Sequence, residues 1–382
     1  MIYLDYAATT PVDPRVAEQM AACLTLDGAF GNPASNTHEF GWQTAKLVET
    51  ARQQIASLLN ADPREIIFTS GATEADNLAI KGIANFYKER GNHIITMRTE
   101  HKAVIDTCQF LEEQGFIITY LNPQSDGRLD LAELTVAITN KTILISIMHV
   151  NNETGVIQDI EKIAQIAKQH NIFFHTDAAQ SIGKLAIDVQ TLPIDLISIS
   201  AHKIYGPKGI GALYVRRKPK VRLQALIHGG GHEQGLRSGT LATHQIVGLG
   251  AAIAIAQQNL ISEQNKIKKL REYLMQELST MPQTEFNGNQ EYCLPNILSV
   301  RFAGIDAEAL MASCPKLAFS AGAACTSTTI MPSHVLQAMG ITNEAANSTI
   351  RLSIGRFTTL AELETAIQVI RSQVTRLRDL LP

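Results

Sequence analysis

Leu196-Ile-Ser-Ile-Ser200-Ala-His202-Lys203-Ile-Tyr-Gly206-Pro-Lys-Gly209-Ile-Gly211 is the stretch on which the reading of this chain turns. A short β-rich run reaches Ser200, polar side chains follow, and the glycines bring the chain back as a second run at Ala212–Arg216. Gly206, Gly209 and Gly211 stand in the wrong order for a dinucleotide-binding fingerprint, and the segment returns as a strand rather than opening a helix. A lysine directly after an apolar strand, preceded by Ser and His and followed by glycines, is a candidate Schiff-base amine. Lys184, in a loop, and Lys208, in a glycine-bordered turn, compete for that role and are expected to be solvated.

Working outward, residues 37–210 alternate apolar helical patterns with short β-rich runs, which predicts a mostly parallel sheet covered by helices. The strands are expected at Glu65–Thr69, His93–Met97, Ile117–Leu121, Thr142–Met148, Ile172–His175 and Leu196–Ser200, with Ala212–Arg216 as the seventh. Segments such as Glu74–Arg90 and Ile160–His170 carry the i, i+3, i+4 apolar spacing of amphipathic helices. Beyond Thr240 the pattern changes to two helical stretches, Leu241–Gln258 and Glu263–Ser279, then strands at Ile297–Phe302 and Thr349–Ile354 and a closing helix, Leu360–Leu380. With 382 residues the chain exceeds what one core usually holds, so two units with a cleft between them are expected. The division predicted is residues 13–260 in a large α/β unit, and residues 1–12 with 261–382 in a smaller α+β unit.

A formal net charge of -3, with 45% hydrophobic and 18% charged residues, describes a globular protein without general attraction to nucleic acid or anionic membranes. Neither a secretory leader nor a membrane-spanning run is visible, so a cytoplasmic location is expected. Cys23, Cys108, Cys293, Cys314 and Cys325 are an odd set without a Cys-x-x-Cys pair, which argues against a disulfide framework or a zinc site.

Ligands of open α/β sheets bind beyond the carboxyl ends of the strands, so polar residues there are the first candidates. In Glu65-Ile-Ile-Phe-Thr-Ser-Gly-Ala-Thr73-Glu74, small residues at a helix start suit a phosphate, and an ordinary helix capped by Ser70 or Thr73 is the alternative. In Ile172-Phe-Phe-His-Thr-Asp177-Ala-Ala-Gln180, a carboxylate ending an apolar strand calls for a cation such as a pyridinium nitrogen, or for backbone donors. In His228-Gly-Gly-Gly-His232, the glycines argue against a helix that would turn both histidines to one metal. No Gly-x-Ser-x-Gly elbow supports a hydrolase. Ser320-Ala-Gly-Ala-Ala-Cys325-Thr-Ser-Thr-Thr-Ile-Met-Pro332 sets a cysteine among small and hydroxylated residues, where an accessible nucleophile is expected; the other four cysteines read as packing.

Together with Tyr3-Leu-Asp-Tyr-Ala-Ala-Thr-Thr-Pro11, Phe30-Gly-Asn-Pro-Ala-Ser35, Thr99-Glu-His-Lys-Ala103, His149-Val-Asn-Asn-Glu-Thr-Gly155 and Arg237-Ser-Gly-Thr240, these segments resemble the group I cysteine desulfurases. That family, the NifS/IscS branch of the class V aminotransferase-like enzymes, has the fold-type I pyridoxal-phosphate architecture. The resemblance runs over almost the whole chain and implies pyridoxal 5′-phosphate as cofactor, L-cysteine as substrate and a homodimer. It implies that Lys203 forms the Schiff base and shuttles protons, that Asp177 pairs with the ring nitrogen, and that His101 stacks on the ring as an acid/base. A surface histidine at a helix start fits His101 equally well. Gln180 would bond the phenolic oxygen, Thr73, Ser200, His202 and the backbone around Ala72 would hold the phosphate, and Thr240 would reach it from the neighbouring subunit. Asn152 and Arg351 would bind the substrate carboxylate, although Arg351 also reads as a strand-end surface charge. Cys325 would take the sulfur as a persulfide, leave alanine, and pass the sulfur to acceptor or iron–sulfur scaffold proteins, with tRNA thiolation as a second destination. No resident metal is implied; transient iron–sulfur ligation by Cys325 is the one metal role left open.

Relatives usually end in an acidic and aromatic tail that helps dock the scaffold, whereas this sequence stops at Leu381-Pro382, so altered scaffold docking is expected. The basic run Arg216-Arg-Lys-Pro-Lys-Val-Arg222 resembles the family's acceptor surface, with a solvated hairpin as its alternative. Rival activities are a selenocysteine lyase or another class V enzyme on the same fold; a rival of another kind is a non-catalytic sulfur-carrier adaptor.

Overall fold

The chain enters through β1 (Ile2–Tyr3), α1 (Pro14–Ala21) and α2 (Glu39–Leu59). It then alternates β2 (Ile66–Thr69), α3 (Ala72–Phe86), β3 (His93–Met97), α4 (Lys102–Glu113), β4 (Ile117–Leu121), α5 (Leu131–Ala137), β5 (Thr142–Ser146), α6 (Ile160–Gln169) and β6 (Phe173–Asp177), and continues into β7 (Leu196–Ser200) and β8 (Gly211–Val215). This computed structural model describes residues 1–321 and 332–380. Among them, the main sheet has seven strands in the order β2-β8-β7-β6-β5-β3-β4. Only β8 opposes its neighbours; the other pairings are parallel.

The strands need cover on both sides because successive side chains point to opposite faces and almost all of them are apolar. Phe68, Ile95, Met97, Ile145, Phe174 and Ile199 pack on one face with Val48 and Ile55 of α2. Ile67, Ile94, Leu144, Leu196 and Leu213 pack on the other with Leu78 and Ile83 of α3 and Val104 and Leu111 of α4. Strand limits differ slightly from expectation: β6 runs on through Asp177, and β5 stops at Ser146, two residues before Met148.

The two helices expected after Thr240 are one, α7 (Thr243–Ser279), 37 residues long. No glycine or proline interrupts residues 251–279. Asn259 and Ser262, between the two expected stretches, bond the carbonyls of Ile255 and Asn259 within the helix. Its first half joins the α2 side of the main core through Ile246, Leu249 and Ile253. Its second half enters a separate core through Ile267, Leu270, Leu274 and Leu278.

The rest of the chain is β9 (Thr284–Phe286), β10 (Ile297–Phe302), α8 (Ala307–Ser313), β11 (Leu317–Ala318), β12 (Ser320–Ala321), α9 (His334–Ala338), α10 (Asn343–Asn347), β13 (Thr349–Ser353) and α11 (Leu360–Asp379); β10, α8, β11, β13 and α11 build that second core, while α9 and α10 pack in a small cluster of their own. An antiparallel sheet runs β12-β13-β10-β9, while β1 pairs in parallel with β11 and delivers Leu4 to the same core.

Candidate active site

The carboxyl ends of β2, β6 and β7 open onto a cavity of about 560 Å³, closed on one side by Ala7 and Ala8 and by Arg351 of β13. Ten of the twelve residues singled out above line it: Ala72, Thr73, His101, Asn152, Asp177, Gln180, Ser200, His202, Lys203 and Arg351. Thr240 is exposed and does not line this cavity. Cys325 lies outside the described residues.

β2 passes through Ser70 into Gly71, the N-cap of α3, at φ 153° and ψ −179°. That conformation favours glycine. A Cβ placed there would meet nothing within 4 Å, because it would project into the cavity. Neither Ser70 nor Thr73 caps the helix, which corrects the capped-helix alternative; α3 starts with no side-chain cap bond, leaving N–H groups and the positive end of the helix dipole for an anion. Glu74, in its first turn, accepts from Ser70 N (2.7 Å) and is paired with Arg237 (2.8 Å).

Asp177 ends β6 at the cavity wall, and its Oδ1 accepts from Ala179 N at 2.8 Å. Burial raises its pKa, while the Ala179 N–H, His101 and Lys203 pull the other way. Lys203 closes a helical turn after β7 and donates from Nζ to the carbonyls of Ala7 (2.6 Å) and Ala8 (2.8 Å). Gln180 donates to the same Ala7 carbonyl (2.9 Å), and its buried Oε1 has no partner among the described residues. His202 bonds Thr9 through Nδ1 at 3.1 Å; burial, with nearby lysines, pushes its pKa down to about 4, so it is neutral.

His101 is the N-cap of α4, its Nδ1 accepting from Ala103 N at 3.1 Å, and it is half-buried on the cavity wall rather than a surface residue. Arg351 is not a surface charge either: its side chain is 2% exposed and paired with Asp5 at 2.9 Å. Its guanidinium also reaches the Asn152 carbonyl (2.9 Å) and Ser320 Oγ (3.3 Å), while Nε has no partner among the described residues.

Lys184 corrects a second expectation. It is half-buried, donates to the Gln180 carbonyl at 3.0 Å, and is pushed down to about 7 by burial. Lys208 is exposed at the cavity wall. Of the basic run, Arg216 is taken up by the carbonyls of Val189, Leu192 and Ile194, each at 2.8 Å, so it is structural rather than solvated. Cys23, Cys108 and Cys314 are buried as expected of packing residues, and Cys293 is half-buried. His228–His232 is not an α-helix, and His232 Nδ1 accepts from Gly239 N at 3.3 Å. Among the described residues no three metal-ligating side chains gather, and no helix is long and apolar enough to cross a membrane.

Sequence reasoning missed the carbonyls of Ala7 and Ala8, Asp5, Glu74 and Glu153. Their motifs were visible, but backbone acceptors and ion pairs between distant segments carry no local signature.

The sheet sets a lysine and a carboxylate at adjacent strand ends beside an uncapped helix start, and residues 2–365 match the Aminotransferase class-V family model. Cysteine desulfurases IscS of Proteus mirabilis (strain HI4320) and of Vibrio cholerae serotype O1 (strain M66-2) are each 58% identical to the chain over 381 residues, covering 100% of it and 94% of theirs. A solved NifS-like protein superposes with a TM-score of 0.92 at 37% identity, covering 98% of this chain and 99% of its own. A solved structure described as SspA in complex with cysteine gives 0.81 at 41% identity, covering 94% and 100%. The chain belongs to the cysteine desulfurases of the NifS/IscS branch of the class V aminotransferase family.

Proposed function

We propose that the chain takes sulfur from L-cysteine with pyridoxal 5′-phosphate held in the 560 Å³ cavity, keeps it as a persulfide on Cys325 and releases alanine. The residues present fit that cofactor. The uncapped start of α3, with Thr73, Ser200 and the neutral His202, suits a phosphate. Asp177, whose ionisation burial disfavours, suits a cationic ring nitrogen that restores it. Gln180, whose buried Oε1 has no partner among the described residues, would bond a phenolic oxygen through its amide, His101 would stack its ring, and Lys203 would supply the amine.

When bound, the cofactor supplies an electron sink conjugated to the substrate Cα. Arg351 and Asn152 hold the cysteine carboxylate, Arg351 sharing its guanidinium with Asp5. Lys203 takes the Cα proton and later returns one to the product, its stem held by the turn after β7. The Cys325 thiolate attacks the substrate sulfur; the S–S bond forms as the C–S bond breaks, the electron pair returns to carbon, and protonation there gives alanine. Ser320, five positions before Cys325 in the sequence, is hydrogen-bonded to Arg351 on the cavity wall.

A homodimer is part of this reading. Exposed Thr240 would serve the cofactor phosphate of the other subunit, and Leu26, Phe40 and Trp42 are exposed apolar surface that a second copy would cover. The large unit is taken as residues 13–260 and the small unit as residues 1–12 and 261–382, with the boundary inside α7. Sulfur acceptors, including iron–sulfur scaffold proteins, would dock on the exposed part of the basic run, Lys218, Lys220 and Arg222, in the cytoplasm.

The arrangement of Lys203 beside Asp177 and the uncapped helix carries the proposal, and borohydride tests it. Reduction of the holoenzyme should fix the cofactor on the peptide containing Lys203. Cys325→Ser should keep the cofactor absorbance and lose sulfur release. Label on another lysine, or undiminished sulfide from Cys325→Ser, would overturn the reading.

A further inference from the structure

Glu153 has no part in the reaction outlined above, yet it lies next to Asn152 and is 5% exposed. Its backbone N–H is held by Asn151 Oδ1 at 2.9 Å, inside a tight turn whose Asn151 side chain also bonds the Thr99 carbonyl at 2.9 Å. The carboxylate meets the start of α9, where Ser333 donates from Oγ to Glu153 Oε2. Ser333 is the N-cap of α9, accepting from Leu336 N at 3.1 Å. The next residue, His334, bonds the Glu100 carbonyl at 3.0 Å. Val335, Leu336 and Met339 of α9 form a small apolar cluster with Ala346 of α10, apart from the two large cores. Polar contacts to Glu153 and to the Glu100 carbonyl, each next in sequence to a cavity-lining residue, therefore seat this cluster.

Ser320 and Ser333 bracket Cys325 in the sequence; Ser320 is held by Arg351, which lines the cavity, and Ser333 by Glu153, the neighbour in sequence of the cavity-lining Asn152. Arg351 is accounted for by the substrate carboxylate. Glu153 is left without a task, and a buried carboxyl is costly to keep unless it does something.

We propose that Glu153 is a positioning residue for sulfur transfer: by holding Ser333 against the Asn151–Gly155 turn, it anchors the described end of the chain that follows Cys325 next to Asn152. This rests on Cys325 being the sulfur acceptor. Burial supports it by pushing the Glu153 carboxyl up to about 7, against the pull of Arg351 from β13 and His101 from the start of α4. Burial pushes the pKa of His334, beside Ser333, down, against its hydrogen bond to the Glu100 carbonyl. The ionised carboxylate accepts a charge-assisted bond from Ser333, and the protonated acid accepts a weaker one. The hold therefore tightens as pH rises through about 7.

The test uses holoenzyme mixed with L-cysteine, with two readouts followed separately. One is the cysteine-induced change in cofactor absorbance, which does not need Cys325; the other is the rate at which persulfide forms on the Cys325 peptide. Glu153→Ala and Ser333→Ala should leave the first unchanged and each slow the second by about tenfold or more, as misplacement of a reacting group does. The double variant should be no slower than the worse single one. Glu153→Gln, which keeps an acceptor for Ser333 and guards against misfolding, should recover most of the rate and lose the rise near pH 7 seen in the unsubstituted enzyme. Full-rate persulfide formation in Glu153→Ala, losses that multiply in the double variant, or a pH rise retained by Glu153→Gln would each overturn the proposal. Absence of persulfide on Cys325 in the unsubstituted enzyme would instead sink the functional reading on which it rests.

Discussion

Arg351 shows how far a single side chain can be read. The family resemblance implies a carboxylate clamp there, and the structure holds the side chain at 2% exposure among Asp5, the Asn152 carbonyl and Ser320. A guanidinium with several donors in a fixed fork can keep Asp5 and still bind a second carboxylate; an ammonium cannot match that geometry. Arg351→Lys should therefore raise KM for cysteine by about tenfold or more while cofactor affinity stays the same. A change in cofactor binding with KM intact would place Arg351 outside the substrate site. Lys203 and Asp177 were legible because a strand followed by a reactive polar group is a local pattern. The partners of Lys203 were not, since the carbonyls of Ala7 and Ala8 arrive from nearly 200 positions away.

At the level of elements, α7 carries the sharpest lesson. Its two apolar patterns differ because each half faces a different core, and a change of face looks like a break when only periodicity is available. With no glycine or proline after residue 250, helix propagation continues across the change. Gly250 itself lets α7 approach α2: a Cβ there would lie 2.7 Å from the Ala51 Cα and 2.4 Å from Gln54 Oε1. Gly250→Val should cost about 1–3 kcal/mol through overpacking, read as a lower urea midpoint. An unchanged midpoint would mean the two helices part without penalty. The start of α3 is the counterpart at the site. The run Ser70-Gly71 marked the turn, but that it goes uncapped was settled by Gly71, without a side chain, taking the N-cap position, while Glu74 turns to Arg237 and the Ser70 N–H.

On the scale of the whole molecule, two cores are joined by α7 and by an ion-pair joint below the cavity. Arg356, just after β13, pairs with Asp13 at the start of α1 and Glu263 of α7, both at 2.7 Å, and lies over the Tyr205 ring at 4.1 Å. Hydrogen bonding to Arg15 first, and then to Arg356, holds the Asp13 carboxyl well below its ordinary value of 3.8. A depressed native pKa means stability that is fully present above the unfolded value and lost as pH falls toward the native one. Asp13→Asn should cost about 1.5–3 kcal/mol at pH 7, the range for hydrogen bonds to charged groups. By about pH 3 the gap in urea midpoints should have narrowed. A gap constant from pH 7 to pH 3 would contradict the Asp13 assignment.

The alternation of β-rich and amphipathic segments determined the α/β sheet without help from tertiary contacts, because strand and helix periods are written in consecutive residues. The motifs at strand ends determined which chemistry the chain could carry, for the same local reason. Only the folded chain decided that α7 is one helix, that Lys184 is half-buried, that Arg351 shares its charge with Asp5, and that Glu153 meets Ser333. Each of those depends on what a distant segment brings to within hydrogen-bonding or packing distance, and burial, which sets the cost of a charge or a cavity, is a property of all the segments together.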